Sequence, residues 1–311
     1  MRVLLALALS LVAAAATAQP NLKMMIPANP GGGWDQTGRN LAAAMQSAKL
    51  VSGVQFENKG GAAGTIGLAQ FVNSAKGDPN AVMIGGMVMV GGIILNKSAV
   101  NLSQVTPIAR LTSEWEVIVV PANSPHKNLD SLLKAFKENP GKVSWGGGSA
   151  GGTDHILIGL IAKAIGVDAA KVNYVPYKGG GEAIAAILGG HVTAGVSDLG
   201  EFAEQIKSGK MRALAQSSPK KLEGIPSLKE QKVNVELGNW RGVFGGPGLS
   251  REQRDGLVKL IQSAVNTPSW KQTLEKLGWE GWFLGGDAYA KFLKEDEQRI
   301  AGIIESLGLK K

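Results

Sequence analysis

The chain contains no cysteine, which excludes disulfides, thiolate metal centres and a lipid-modified cysteine behind a leader segment. It has three histidines, His126, His155 and His191, and their spacing fits no metal-ligand pattern, so no metal or other cofactor is expected. Aromatic residues are sparse, at 5%. No Gly-Lys-Ser/Thr follows any glycine cluster, and no clean G-x-G-x-x-G opens a helix, which argues against a nucleotide ligand. Basic runs are also missing: the formal charge of +8 is scattered, with only Lys220-Lys221 and Lys310-Lys311 adjacent, so nucleic acid is not an expected partner. No repeat of 20 to 50 residues is present, and Trp34-Asp35 alone is no propeller signature.

Long apolar runs are few. Arg2 followed by the apolar stretch Val3 to Ala16, then Ala16-Thr17-Ala18 before Gln19-Pro20, has the form of a secretory signal peptide over residues 1–18. The stretch is short of the roughly 20 residues a bilayer span needs. An exported, unanchored protein is expected to reside in the periplasm. The second run, Ala81 to Leu95, carries Gly85, Gly86, Gly91 and Gly92 and reads as a buried strand, a turn and a helix start. A mature chain of about 290 residues exceeds what one core usually serves, which predicts two domains.

Glycine, by contrast, is abundant, with 43 residues. Clusters at Gly31 to Gly33, Gly60 to Gly67, Gly146 to Gly152 and Gly179 to Gly181 fall where strands give way to helices, and exposed backbone N–H groups at such starts bind anions. Strands are predicted at Leu22 to Ile26, Val54 to Glu57, Ala81 to Ile84, Val117 to Val120, Val143 to Trp145, Val172 to Val175, Val192 to Val196, Arg212 to Ala215 and Val243 to Phe244. Amphipathic helices lie between them, one carrying Leu129, Leu132, Leu133 and Phe136 on one face. The alternation predicts an α/β protein with parallel sheets, helices on both faces, and ligands beyond the carboxyl ends of the strands. After Gly246-Pro247 the pattern turns helical: Ser250 and Gln253 form a capping box, Asp287 is placed to cap a final helix, and Glu295 and Arg299 are spaced as an i, i+4 pair.

The segments Ile26 to Asp35 (IPANPGGGWD), Asn58 to Gly67 (NKGGAAGTIG), Gly148 to His155 (GSAGGTDH), Tyr174 to Glu182 (YVPYKGGGE), Lys210 to Ala215 and Trp240 to Gly242 resemble, in order and over almost the whole mature chain, the tripartite tricarboxylate transporter substrate-binding proteins, also called the Bug family. The Pro-Gly-Gly-Gly-aromatic-Asp form and the Lys178 to Glu182 loop are similar to its tricarboxylate (citrate) binders, while Asn96 to Thr106 lacks the family's frequent Tyr-Asp-Pro segment. The resemblance implies a two-lobed periplasmic binding protein fold, two Rossmann-like α/β domains joined by crossover strands. It also implies lobe closure on a small carboxylate, partly through ordered waters, and delivery to the membrane subunits of a tripartite transporter. Lobe 1 is placed at 21–120 plus 241–311 and lobe 2 at 121–240, with the chain acting as a monomer.

The candidate site is read from the same segments. Gly32, Gly33 and Gly64 supply backbone donors, with Thr65 and Met87 beside them. Trp34 either walls the pocket or covers a helix end, and Asp35 caps its helix or orients a neighbouring donor. Ser149 and Thr153 offer hydroxyls flanking Gly151, whereas Asp154 is a helix-dipole partner. Lys178 beside Gly179 and Gly180 is either the cleft's cation or a solvated side chain, and Asp198 ends a predicted strand. Arg241 either clamps a ligand carboxylate bidentately or forms an internal ion pair. Gly147-Gly-Ser149-Ala-Gly151 also matches the G-x-S-x-G nucleophile turn of serine hydrolases, with Asp168 and His191 following in order. Glycine abundance makes that match cheap, and His191 sits at the wrong end of the sheet, so a binding protein without catalysis is expected, with a secreted hydrolase or a sensing scaffold as rivals.

Overall fold

The computed structural model describes residues 19–178 and 180–309. Residues 1–18, read from the sequence as a signal peptide, Gly179 and Lys310-Lys311 lie outside the described residues. The chain opens with β1 (Asn21–Ile26), α1 (Gly33–Ser47), β2 (Gly53–Asn58), a 3-10 turn at Ala62–Gly64, α2 (Thr65–Ser74), β3 (Ala81–Gly86) and α3 (Met87–Leu95). The long β4 (Thr106–Pro121) leads to α4 (Leu129–Glu138), β5 (Ser144–Gly147), α5 (Thr153–Ala164), β6 (Asn173–Pro176), α6 (Gly180–Leu188), β7 (Ala194–Asp198), α7 (Leu199–Lys207) and β8 (Met211–Gln216). Then β9 (Gly238–Gly245), α8 (Arg251–Val265), α9 (Pro268–Leu277), β10 (Glu280–Gly285) and α10 (Gly286–Ser306) complete it.

The sheet runs β2-β1-β3-β9-β4-β7-β5-β6, with β10 and β8 also paired to β4. It is mixed, not parallel as predicted: β3 and β4 both pair antiparallel with β9, and β4 pairs antiparallel with β7, β8 and β10. β4 explains the difference. Its first half, to Trp115, pairs with β9, and from Glu116 onward it pairs with β7 and β8. One strand thus serves both halves of the sheet, and the changeover falls at Trp115/Glu116.

Direction follows from this pairing. β1 and β3 run with β4 toward the changeover, whereas β5, β6 and β7 run back toward it from the other side. The carboxyl ends of two parallel sets therefore converge, and the helices they feed start there. The chain returns to the first half through the segment between β8 and β9.

Most predicted strands appear within a residue or two. β4 was predicted only over Val117 to Val120, because Arg110, Thr112, Ser113, Glu114 and Glu116 interrupt its apolar pattern; all but Arg110 are nonetheless buried. β10 was not predicted, since its sequence EGWFLG is largely exposed and its pairing with β4 holds it in the sheet. The Ser250–Gln253 capping box forms, with reciprocal bonds of 3.1 and 2.8 Å. Asp287 does not cap α10: the N-cap is Gly285, and Asp287 instead accepts from Arg254 at 2.6 Å. Arg299 pairs with Asp296 at 2.7 Å rather than with Glu295, which pairs with Lys291. Asp296 also accepts from Trp240 Nε1 at 2.7 Å, tying α10 to β9.

Candidate functional site

A cleft of about 620 Å³ opens where the two sets of carboxyl ends meet. The starts of α1, α5, α6 and α7 and the Gly60–Gly64 turn before α2 border it, which gathers the positive ends of several helices around a common space. Glycine is required at one of these starts by close approach. The Arg241 guanidinium presses on the Gly33 Cα, where any side chain would collide with it.

Ten of the predicted site residues line the cleft: Gly32, Gly33 and Trp34 from α1 and its approach, Gly64, Ser149, Thr153, Lys178, Gly180, Asp198 and Arg241. Trp34 lines the cleft, and its ring lies against Gly64 at the start of α2. Thr153 is fully buried, and no protein group bonds its hydroxyl. Lys178 is exposed at the rim.

Four predicted residues lie behind the cleft wall. The Asp35 carboxylate accepts from Gly31 N, Arg39 Nε and Asn58 Nδ2, each at 2.9 Å, and so orders the turn before α1. Burial alone would raise its pKa, but these bonds hold it below the ordinary carboxylate value. The Thr65 hydroxyl donates to Ala62 O at 2.9 Å, Met87 is fully buried, and Gly151 packs against Leu95 and Gly91. None of the four is among the cleft-lining residues.

Arg241 takes the second of the two roles weighed for it. It lies at the cleft floor but is only 2% exposed, and its guanidinium is bound by the carboxylates of Glu114 and Asp198. Its other terminal nitrogen donates to Gly33 O at 3.0 Å and Thr37 Oγ1 at 3.3 Å. The planar fork is engaged within the protein, so of the two roles weighed for Arg241 the internal ion pair is the one present. Sequence could not decide this, because Glu114 and Asp198 are 127 and 43 residues away and converge only through β4 and β7.

Around this one arginine gather the carboxyls of Glu114, Glu116, Asp154, Asp198 and Glu201. Burial, partly offset by Arg241, pushes Glu114 well above the usual range, and burial with the nearby Asp154 and Asp198 does the same to Glu116. Asp154 lies near enough to Glu116 for its charge to add to that push, and neither Glu116 oxygen has a hydrogen-bond partner among the protein groups. Burial raises Asp154 to about 6, despite its bond from Gly148 N at 2.5 Å, and burial plus the charge of Asp198 raises Glu201 to about 7. His155, stacked on Tyr174 at 4.3 Å, is driven down to about 4 by burial. Sequence reasoning missed Glu201, Asn239, Glu114 and Glu116; the run Ser197-Asp198-Leu-Gly-Glu201 straight after an apolar strand was the only available signal.

A pH dependence follows. Asp154 and Glu201 keep protons in the folded chain that the unfolded chain releases near 3.8 and 4.5, so their contribution is largest at acid pH and is lost as pH rises through 6 to 7. His155 opposes this only below its ordinary 6.5. The melting temperature of the ligand-free protein is expected to rise by a few degrees between about pH 8 and pH 6. A flat or falling profile in differential scanning calorimetry would contradict the assigned proton positions.

No hydrolase triad assembles. Ser149 lines the cleft, but Asp168 caps the turn at Ala169–Lys171, accepting from Ala170 N at 3.0 Å, and His191 follows α6. Both lie at the amino-terminal ends of β6 and β7, across the sheet from Ser149.

A family model described as "Tripartite tricarboxylate transporter family receptor" matches residues 38–309. The chain is 29% identical to the "UPF0065 protein in gbd 5'region" of Cupriavidus necator, over 98% of this chain and 94% of that one. Among solved structures, the periplasmic binding protein BugD is similar at a TM-score of 0.81 and 26% identity, covering 95% of this chain and all of that one. MatC of Rhodopseudomonas palustris, solved with bound malate, shares the fold at a TM-score of 0.78 and 20% identity, over 92% and 99% of the two chains.

Proposed function

Because the chain belongs to the tripartite tricarboxylate transporter family of receptors, we propose that it is a periplasmic solute-binding protein that captures a small di- or tricarboxylate by lobe closure. It then passes that ligand, unchanged, to the membrane subunits of a tripartite transporter. One observation carries the reading: four helix starts and a glycine turn, drawn from both halves of the sheet, border a single cleft, and the glycine turn and the α5 start with Ser149 and Thr153 remain there for an anion. Each such contact contributes about 0.3–2 kcal/mol to binding an anion, whereas micromolar affinity needs about 8 kcal/mol. Several contacts must therefore act together, which favours a ligand with more than one carboxylate and a cleft that closes to exclude water.

The lobes that close are residues 21–120 with 241–311, and 121–240, linked through β4 and β9. Residues 1–18 act as the export signal, and the receptor works as a monomer. Among the described residues no helix is long and apolar enough to cross a membrane. Malate in MatC, a dicarboxylate in a protein of this fold, brings dicarboxylates into the set to be tested beside citrate.

Calorimetric titration with citrate, tricarballylate, malate and succinate, followed by mass spectrometry of the released ligand, tests the proposal. At least one is expected to bind and return intact, with a smaller radius of gyration in small-angle scattering at saturation. Binding of none would overturn the carboxylate reading. A hydrolysed ester product, abolished by Ser149→Ala, would restore the hydrolase.

A further inference from the structure

The place where the helix starts converge most closely is already occupied by a protein carboxyl. Glu201, in the first turn of α7, accepts from Gly33 N of α1 at 3.1 Å through Oε1 and from Ser197 Oγ at 3.0 Å through Oε2. Gly180, the first residue of α6, packs so near that an added Cβ would meet Oε2. A ligand carboxylate placed here would face Glu201 and Asp198 at once. Ligand carboxylates are therefore directed to the other donors, at the Gly61–Gly64 turn and the start of α5 with Ser149 and Thr153.

At the Glu201 end the protein offers acceptors. Above about pH 7, where Glu201 is ionised, each of its carboxylate oxygens has a second lone pair beyond the one already engaged. Asn239, 4% exposed and lining the same cleft, gives its Nδ2 group to the two oxygens of Asp198 at 3.1 and 3.3 Å. The acceptor-only carboxylate fixes which way this amide points. Its Oδ1 is then a buried acceptor that no protein group reaches.

Resting on the carboxylate reading of the cleft, we propose that Glu201 and Asn239 form an acceptor subsite selecting ligands with a hydroxyl or ammonium donor beside their carboxylates. A site built to bond a donor rejects the analogue lacking it, because its buried acceptors are left unpaired. Lys178 is exposed at the rim and Arg241 is engaged below, so the cations present do not distinguish a ligand that carries such a donor from one that lacks it.

Two matched pairs test this: malate against succinate, and citrate against tricarballylate, each differing by one hydroxyl. In calorimetry the hydroxylated member of the pair that binds is expected to be at least tenfold tighter. In Glu201→Gln and, separately, Asn239→Ala, the preference is expected to shrink at least threefold. Asn239→Ala lies away from the Gly33 contact, so it keeps the test decisive if Glu201→Gln disturbs folding. Equal affinity within both pairs would overturn the subsite and leave the carboxylate reading standing. A preference that survives both substitutions, or a Glu201→Gln protein that binds both members more tightly to the same degree, would also overturn it. Binding of no probe would overturn both readings.

Discussion

Replacing Arg241 with leucine is expected to destabilise the ligand-free protein by about 3–5 kcal/mol, the loss found when one member of a buried ion pair is removed. Glu114 and Asp198 are 1% and 5% exposed, and without the guanidinium two adjacent carboxyls would lie in the interior with no counter-charge. The same change frees Gly33 O and Thr37, loosening the start of α1 from β9. Adding Glu114→Gln and Asp198→Asn to the leucine variant should recover part of the loss, because neutral groups need no cation. Arg241→Lys should fall between, losing about 1–3 kcal/mol, since one ammonium cannot serve all four acceptors. Thermal or denaturant unfolding reads the stability and calorimetry reads the affinity. A lysine variant of unchanged stability but much weaker carboxylate binding would put the fork back on the ligand.

Gly91→Ala should have the second large effect. Gly91 of α3 packs against the Gly151 carbonyl in the turn before α5, so a β-carbon there would run into backbone from the other half of the sheet. Neither partner is a flexible side-chain tip, so relief requires the α3 and α5 elements to separate. Overpacking of this kind costs about 1–3 kcal/mol, and where it opposes closure it should appear as a loss of about 5- to 150-fold in carboxylate affinity. Gly141→Ala, which meets nothing within 4 Å, is the matched control and should leave both stability and affinity unchanged. Equal behaviour of the two variants would show that this contact does not govern closure.

Legibility of the chain tracked the range of the interactions involved. The Ser250 capping box and the buried β3-to-α3 turn were readable because each depends on a few consecutive residues. Asp287 and Arg299 were misassigned locally because each has a partner, Arg254 or Asp296, that competes with the predicted role. β10 escaped prediction for a related reason, since an exposed segment becomes a strand only when the edge of β4 is there to pair with it.

The candidate site divides along the same line. Its anion-facing character was legible: Gly32, Gly33, Gly64 and Gly180 stand at helix starts, where unpaired N–H groups and close backbone approach are properties of the local chain. The alternation of strands and helices likewise set the α/β class and the carboxyl-end location of the cleft. Tertiary structure alone decided that the sheet is mixed, because antiparallel pairing along β4 joins residues distant in sequence. It alone decided that Arg241 serves Glu114 and Asp198, and that Glu201 stands among the helix starts, because buried charges take whatever partner the fold brings within reach. Local sequence carries backbone geometry, whereas the pairing of charges is a property of the assembled interior.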